Sequence, residues 1–105
     1  MTQTLYLDWK EVVVFAADGP QPQKLLETDS FRAVLVGLKP GQKIPPHPAP
    51  ASAYHFLDGT GWMIVDGERY AVETGATIVV EAGVARGVEA KTQLAFLGTQ
   101  AVQIG

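Results

Sequence analysis

The chain has 105 residues, a formal net charge of −3 at pH 7 and a sequence pI near 5.2. Its eight lysines and arginines are scattered, whereas nucleic-acid binding needs a concentrated basic face, so no nucleic-acid partner is expected. The absence of cysteine excludes disulfides, iron–sulfur clusters and thiol nucleophiles.

Short apolar runs alternate with turn signals along the chain, a pattern typical of all-β sandwiches and barrels. The Asp66-Gly67 pair predicts a two-residue hairpin with a type I′ turn, because both residues tolerate positive φ. The predicted strands, in chain order, are Thr4–Leu7, Glu11–Ala16, Lys24–Thr28, Phe31–Leu38, Ser52–Leu57, Trp62–Val65, Glu68–Val72, Thr77–Val80, Gly87–Glu89, Gln93–Gly98 and Ala101–Ile104.

The start of the chain lacks the basic residues and long apolar run of a signal peptide, and no segment is long enough to span a membrane. We therefore expect a cytoplasmic protein with no membrane partner. A length of 105 residues predicts a single domain, residues 1–105, with N-terminal strands within residues 1–30.

Two segments carry the most specific signals. In the first, Pro40-Gly41 leads to His47, and Tyr54–Gly61 reads Tyr-His-Phe-Leu-Asp-Gly-Thr-Gly. The second has matching positions at Gly75, Gly83 and Arg86. Together they resemble the two signature motifs of the cupin superfamily, in its small, single-domain RmlC-like form, over about residues 31–98. The resemblance implies a double-stranded β-helix, or jelly-roll barrel, with one open end.

The same resemblance implies a metal site that this chain does not complete. Metal-dependent cupins bind a divalent cation with two histidines and a glutamate of the first motif and a histidine of the second. Only His47 is retained here: Ala49 and Arg86 stand at the other histidine positions, and no acid lies between His47 and Asp58. Alanine has no lone pair to offer and a guanidinium repels a cation. We predict no metal and no cofactor.

The first functional hypothesis is a metal-free cupin that binds a small, anionic or polar molecule in the barrel. His47 and Arg86 would be its polar pair, with Tyr54 and Trp62 as walls. Three roles for Arg86 stay open: its guanidinium can bind a carboxylate or phosphate of the ligand, form a salt bridge with Glu81 or another carboxylate, or be solvated in a loop.

Two enzymatic alternatives remain. By resemblance to metal-independent cupin epimerases, His47 is a general base of an isomerase, epimerase or lyase, and Arg86 stabilises an enolate-like charge; the spacing identifies no acid to orient that base. The second alternative is a metal-dependent cupin enzyme, in which His47 and His55 form an atypical metal site. The sequence leaves their convergence open, since Pro48 and Pro50 interrupt the chain between them, and His55 can equally pack on a partly buried strand.

The segment Trp62–Val65 is apolar on both faces of the predicted strand. Alternation places Trp62 and Ile64 on one face, and Met63 and Val65 on the other. A strand covered on both faces predicts a sheet-on-sheet homodimer. The alternative is that Trp62 forms an aromatic wall of the ligand site.

Overall fold

Alternating apolar residues fold the chain into two antiparallel sheets that pack face to face. The computed structural model describes residues 3–102. The five-stranded sheet has the order β1-β2-β9-β4-β7 and the four-stranded sheet the order β3-β8-β5-β6. Their strands are β1 (Gln23–Glu27), β2 (Phe31–Leu38), β3 (Lys43–His47), β4 (Ser52–Asp58), β5 (Thr60–Val65), β6 (Glu68–Glu73), β7 (Thr77–Val80), β8 (Arg86–Ala90) and β9 (Leu94–Ala101). The predicted all-β jelly-roll barrel is confirmed.

One face of each sheet supplies the core. Phe56 and Phe96 lie on neighbouring strands of the five-stranded sheet with ring centroids 5.6 Å apart. Met63 and Val88 face them from the four-stranded sheet and are almost fully buried. Because successive side chains of a strand point to opposite faces, the residues between these core positions lie on the outer faces.

The predicted hairpin between β5 and β6 is confirmed. Asp66 and Gly67 both have positive φ, 50° and 82°, as a type I′ turn requires. Val65 and Glu68 close the ladder directly beside the turn. This hairpin sets the register of β6 against β5.

Two predicted strands near the N-terminus are wrong. Thr4–Leu7 forms no strand, and the Glu11–Ala16 segment begins in a short 3₁₀ helix, Trp9–Glu11, and continues as irregular chain. Val14 and Phe15 lie against the outer face of the five-stranded sheet, where a Cβ on Gly37 would lie 2.8 Å from the Phe15 ring. The apolar run thus covers a sheet without joining it. Part of the predicted strand Ala101–Ile104 lies outside the described residues; β9 ends at Ala101.

Strand β3 was not predicted. It contains Pro45 and Pro46, which lack the N–H that a ladder needs, and proline is tolerated only at sheet edges and bulges. Both conditions hold: β3 is an edge strand, and its register against β8 shifts between Ile44 and His47. Within residues 3–102, no helix is long and apolar enough to cross a membrane. A cytoplasmic location stays a prediction.

Candidate ligand site at the barrel opening

The register of the four-stranded sheet places Arg86 between His47 and Val65. Arg86 on β8 lies opposite His47 on β3 and opposite Val65 on β5. Directly opposite residues of antiparallel strands project to the same face. Val65 packs against the core, so Arg86 and His47 also lie on the inner face. Arg86 is only 2% exposed, whereas His47 is exposed at the rim.

Tyr54 approaches this group from the five-stranded sheet. Its ring meets the Phe96 ring edge-on at 5.7 Å between centroids, which places it on the inner face of β4. Its hydroxyl oxygen accepts a hydrogen bond of 3.2 Å from Nη1 of Arg86. The contact joins the two sheets, because β4 and β8 belong to different ones.

The Arg86 guanidinium is bound entirely by neutral oxygens. Its Nε donates to the Val84 carbonyl at 2.7 Å, Nη1 to the Pro50 carbonyl, Ser52 Oγ and Tyr54 Oη at 3.1, 2.9 and 3.2 Å, and Nη2 to the Ala49 and Glu81 carbonyls at 3.3 and 2.9 Å. These contacts occupy all three nitrogens, and a guanidinium has five N–H groups. They tie the β3–β4 connection to the β7–β8 connection.

The contact of Arg86 with Glu81 goes to the backbone carbonyl, so the expected salt bridge between the two side chains is not formed. Among residues 3–102, the ion pairs are those of Lys10, Lys24, Arg32 and Arg69. Arg86 is therefore a buried cation without a carboxylate partner in that part of the chain. A ligand anion would reach it indirectly, or only by displacing one of the present acceptors.

One ring nitrogen of His47 is hydrogen-bonded to the backbone, and the other has no hydrogen bond to the described residues. Its Nδ1 lies 3.0 Å from the Pro45 carbonyl, which can only accept, so Nδ1 carries the hydrogen. Nε2 is then left for solvent or a ligand. A carbonyl therefore orients this imidazole, in place of the acid that the enzymatic alternative would use.

His55 is not brought together with His47. Alternation along β4 places it on the outer face of the five-stranded sheet, because Tyr54 and Phe56 point inward. There its Nδ1 lies 2.8 Å from Thr77 Oγ1. No group of three or more His, Cys, Asp or Glu side chains in residues 3–102 could hold a metal ion. The guanidinium already provides a cation among the inward-facing oxygens, so the residues present do not fit the family's divalent metal.

Trp62 lies on the outer face of the four-stranded sheet, away from Arg86 and Tyr54. The Arg69 guanidinium covers its ring at 4.8 Å from the centroid. The same guanidinium forms an ion pair with Glu89 at 3.1 Å, and this hydrogen bond lowers the pKa of the Glu89 carboxyl. Trp62 is thus covered by its own chain and does not line the barrel with the other predicted site residues.

A cavity of about 330 Å³ opens between β6 and β7, and neither Arg86 nor Tyr54 lines it. Val65 and Ile78 line it, and they are the ladder partners of Arg86 and Tyr54. The remaining lining residues are Tyr70, Thr77 and Val79. Sequence reasoning missed Val65, Tyr70 and Ile78; inward alternation from the buried Val72 would have indicated Tyr70.

Tyr70 supplies a second polar group near this cavity. Its hydroxyl donates to the Glu68 carboxylate at 2.8 Å. This hydrogen bond and the Glu68 charge raise the pKa of the Tyr70 phenol. Glu68 thus places an acidic group on the inner face of the four-stranded sheet, in the same row as Val65 and Arg86.

Comparison with known proteins agrees with this architecture. Residues 34–97, more than half of the chain, match the model of the cupin domain. No curated protein sequence matches.

Among solved structures, a conserved protein of unknown function from Streptococcus pyogenes is similar with a TM-score of 0.86 at 24% identity, over 100% of this chain and 93% of that one. An RmlC-like cupin protein from Desulfovibrio desulfuricans has a TM-score of 0.81 at 27% identity, over 96% of each chain. An uncharacterised double-stranded β-helix protein from Klebsiella pneumoniae has a TM-score of 0.84 at 19% identity, over 94% and 90%. The chain belongs to the cupin family.

Proposed function

We propose that this chain is a metal-free cupin that binds a small anionic or polar molecule at the barrel opening. Tyr54 donates directly to the ligand, and Arg86 supplies positive charge behind it. The observation that carries the proposal is the Arg86 guanidinium, 2% exposed and bonded to six neutral oxygens without a carboxylate among the described residues.

A buried charge without a counterion acts over a longer range than an exposed one. Carbonyl and hydroxyl dipoles solvate the guanidinium but leave its net charge uncompensated. Because the effective dielectric constant inside a protein is well below that of water, that charge attracts an anion more strongly than a surface arginine does. An anion at the opening would offset part of the cost of burying Arg86.

The Tyr54 hydroxyl is the group that can transmit this charge to a ligand. Its oxygen accepts from Arg86, and no contact of the described residues uses its hydrogen. A hydroxyl that accepts from a cation becomes a stronger donor, since successive hydrogen bonds polarise one another. We infer that Tyr54 donates to a carboxylate, phosphate or carbonyl oxygen.

We infer that the cavity between β6 and β7, which is lined by ladder partners of Arg86 and Tyr54, sets the size and orientation of the ligand. A volume of about 330 Å³ is at the lower end for small-molecule pockets, which are roughly 300–1,000 Å³. Val65 and Ile78 offer apolar contacts. The anionic group of the ligand would lie toward Tyr54, because Glu68 beside Tyr70 repels negative charge from the other side.

The test compares two tyrosine variants. Small mono- and dicarboxylates, sugar phosphates and inorganic phosphate are screened by thermal shift, and binding is measured by calorimetry. For an anion that binds, Tyr54→Phe should weaken the affinity at least tenfold, as expected for a hydrogen bond to a charged group worth about 1.5–3 kcal/mol.

Tyr6→Phe is the matched control, because the Tyr6 hydroxyl bonds to the Leu25 carbonyl away from the opening. It should leave the affinity unchanged. The proposal fails if none of these anions binds the wild-type protein, or if Tyr54→Phe binds as tightly as Tyr6→Phe.

A second candidate function is proton transfer by His47. Its free Nε2 stands at the rim on the same face as Arg86, where it could take a proton from carbon next to a ligand carboxylate or carbonyl and return one to that carbon. Hydrogen exchange into the bound anion in D₂O, followed by NMR, would support this role if His47→Gln abolishes exchange and keeps binding. Absence of exchange in the wild-type protein rules it out for that ligand.

The geometry does not support the metal-dependent alternative built on His47 and His55, since His55 lies on an outer face. Homodimerisation, which the sequence predicts, also remains a proposal.

A further inference from the structure

One row of inward-facing residues crosses the four-stranded sheet and carries both signs of charge. Across the sheet the row consists of His47 on β3, Arg86 on β8, Val65 on β5 and Glu68 on β6. Residues that lie directly opposite in an antiparallel ladder project to the same face, and Val65 packs against the core. We call this the charged row, because a cation and an anion stand on either side of an apolar residue.

Arg86 and Glu68 are too far apart to neutralise each other. Two strand spacings separate them, which places their backbones about 10 Å apart, whereas an ion pair needs a nitrogen–oxygen distance of about 4 Å or less. The acids in the ion pairs of residues 3–102 are Asp8, Glu27 and Glu89. Within that part of the chain, both charges of the row are therefore left without an opposite charge beside them.

The Glu68 carboxylate is tied to a residue that lines the cavity between β6 and β7. Tyr70, two positions further along β6 and thus on the same face, donates from its hydroxyl to Glu68 Oε2 at 2.8 Å. Tyr70 also lines the cavity. This hydrogen bond, together with the charges of Glu68 and Asp66, raises the pKa of the Tyr70 phenol. The side of the cavity formed by β6 is therefore at a negative potential.

We propose that the ligand of this site is an ω-amino carboxylate, a linear molecule with a carboxylate at one end and an ammonium group at the other. This inference rests on the proposed function, because the carboxylate takes the anion position at Tyr54. The ammonium group donates to the Glu68 carboxylate and to the Tyr70 oxygen, whose own hydrogen is already donated to Glu68. Val65 and Ile78 contact the methylene groups between the two ends.

A ligand with both charges suits the charged row better than a simple anion. Arg86 attracts a carboxylate, but Glu68 repels any negative group that extends toward β6. An ammonium group at that end turns the repulsion into attraction, and the Tyr70 ring adds an aromatic surface of the kind that attracts cations. The zwitterion brings no net charge to a row in which Arg86 and Glu68 offset each other.

The spacing of the row sets the length of the ligand. The Tyr54 hydroxyl lies 3.2 Å from Arg86 Nη1, so the carboxylate lies at the Arg86 end. About 10 Å between the two backbone positions, less about 2.8 Å for a hydrogen bond at each end, leaves about 4–5 Å. An extended chain advances about 1.2 Å per bond, so about four bonds separate the nitrogen from the carboxyl carbon. That is the length of 4-aminobutyrate, whereas an α-amino acid is too short.

Calorimetry with 4-aminobutyrate and butyrate tests the ammonium site, since the two ligands differ only in that group. The wild-type protein should bind 4-aminobutyrate about fivefold more tightly, the size expected for an ion pair that stays partly exposed. Glu68→Gln should remove this preference and leave the affinity for butyrate unchanged or higher. The control is Glu73→Gln, which removes the same charge from the same strand on its outer face; it should keep the preference.

Tyr54→Phe separates this inference from the proposed function, because both ligands have the carboxylate that Tyr54 binds. It should weaken the two affinities by the same factor and leave their ratio unchanged. If butyrate binds as tightly as 4-aminobutyrate, or if Glu68→Gln keeps the preference, the ω-amino carboxylate is wrong and the anion site at Tyr54 stands. If neither ligand binds and inorganic phosphate does not bind either, both proposals fail.

Discussion

Two arginines stand on opposite faces of the four-stranded sheet and are stabilised in different ways. Arg69 projects outward, where it is exposed, pairs with the Glu89 carboxylate at 3.1 Å and covers the Trp62 ring. Arg86 projects inward, is 2% exposed and bonds only to carbonyl and hydroxyl oxygens. The same side chain is thus a surface ion pair on one face and an internal crosslink on the other.

The difference follows from access to water. Solvent competes for Arg69 and screens its attraction to Glu89, so such a pair contributes little to stability. Arg86 has lost nearly all contact with water, and burying an ion costs several kcal/mol unless its hydrogen bonds are satisfied. Its six acceptors meet that requirement. In this cupin a buried guanidinium is therefore held among inward-facing carbonyl and hydroxyl oxygens.

The largest effect is expected from Arg86→Met, which keeps a long side chain but removes the donors. Four carbonyls and two hydroxyls would each lose this partner. Three of the carbonyls keep another donor, but a buried polar group that is left unsatisfied costs about 1–3 kcal/mol. We expect the free energy of unfolding to fall by at least about 3 kcal/mol in urea titrations, or folding to fail. Arg69→Met is the control and should shift the melting temperature only slightly. Equal stability of the two variants would contradict the internal crosslink.

A smaller loss of stability is expected from Arg86→Lys. Lysine keeps the positive charge but has three donors on one nitrogen in place of five in a planar fork, so it cannot reach all six oxygens. The free energy of unfolding should lie between those of the wild-type protein and Arg86→Met. If lysine matches the wild-type protein, charge alone would explain the site and the fork geometry would not matter.

Arg69→Gln is expected to have a weaker effect on stability, and that effect depends on pH. The hydrogen bond from Arg69 lowers the pKa of Glu89 in the folded protein. The contribution of this pair to the free energy of unfolding is therefore fully present above the pKa of Glu89 in the unfolded chain, near 4.5. It is lost as the pH falls through the lower pKa of Glu89 in the folded protein. The difference in melting temperature between wild-type protein and Arg69→Gln should be small at neutral pH and vanish in acid.

The difference in melting temperature between wild-type protein and Arg69→Gln should also become smaller with added salt, because salt screens an ion pair at the protein surface. Glu27 serves as an internal reference: its pKa is lowered by Lys24, a contact that Arg69→Gln leaves intact. A difference that grows as the pH falls would have the wrong sign for this pair.

We expect chelation of metal ions to have no effect on the stability of the protein. If Arg86 does the work of a bound cation, the purified protein should contain well under one equivalent of transition metal, and EDTA should leave its melting temperature unchanged. Elemental analysis decides this point. Near-stoichiometric metal that is lost in His47→Ala would show that the barrel opening holds a metal despite Arg86.

Local signals in the sequence determined much of the fold. The Asp66-Gly67 turn predicted the β5–β6 hairpin, and the motif spacing between His47 and Arg86, through its resemblance to the cupin family, predicted a jelly-roll barrel. These signals depend on residues close in sequence or on a spacing shared by a family. The mismatch of Ala49 and Arg86 with the metal ligands was also visible without a structure.

Only the tertiary structure decided which apolar runs join a ladder and what the polar residues contact. The continuous apolar run in Glu11–Ala16 resembles a strand, but backbone pairing depends on a distant partner, and that segment lies against a sheet instead. The six acceptors of Arg86 come from strand β4 and from the β3–β4 and β7–β8 connections. Five of them lie 5 to 37 positions away in the sequence, and the sixth is two residues away. Residue type and spacing do not encode that convergence, because long-range packing alone brings those oxygens together.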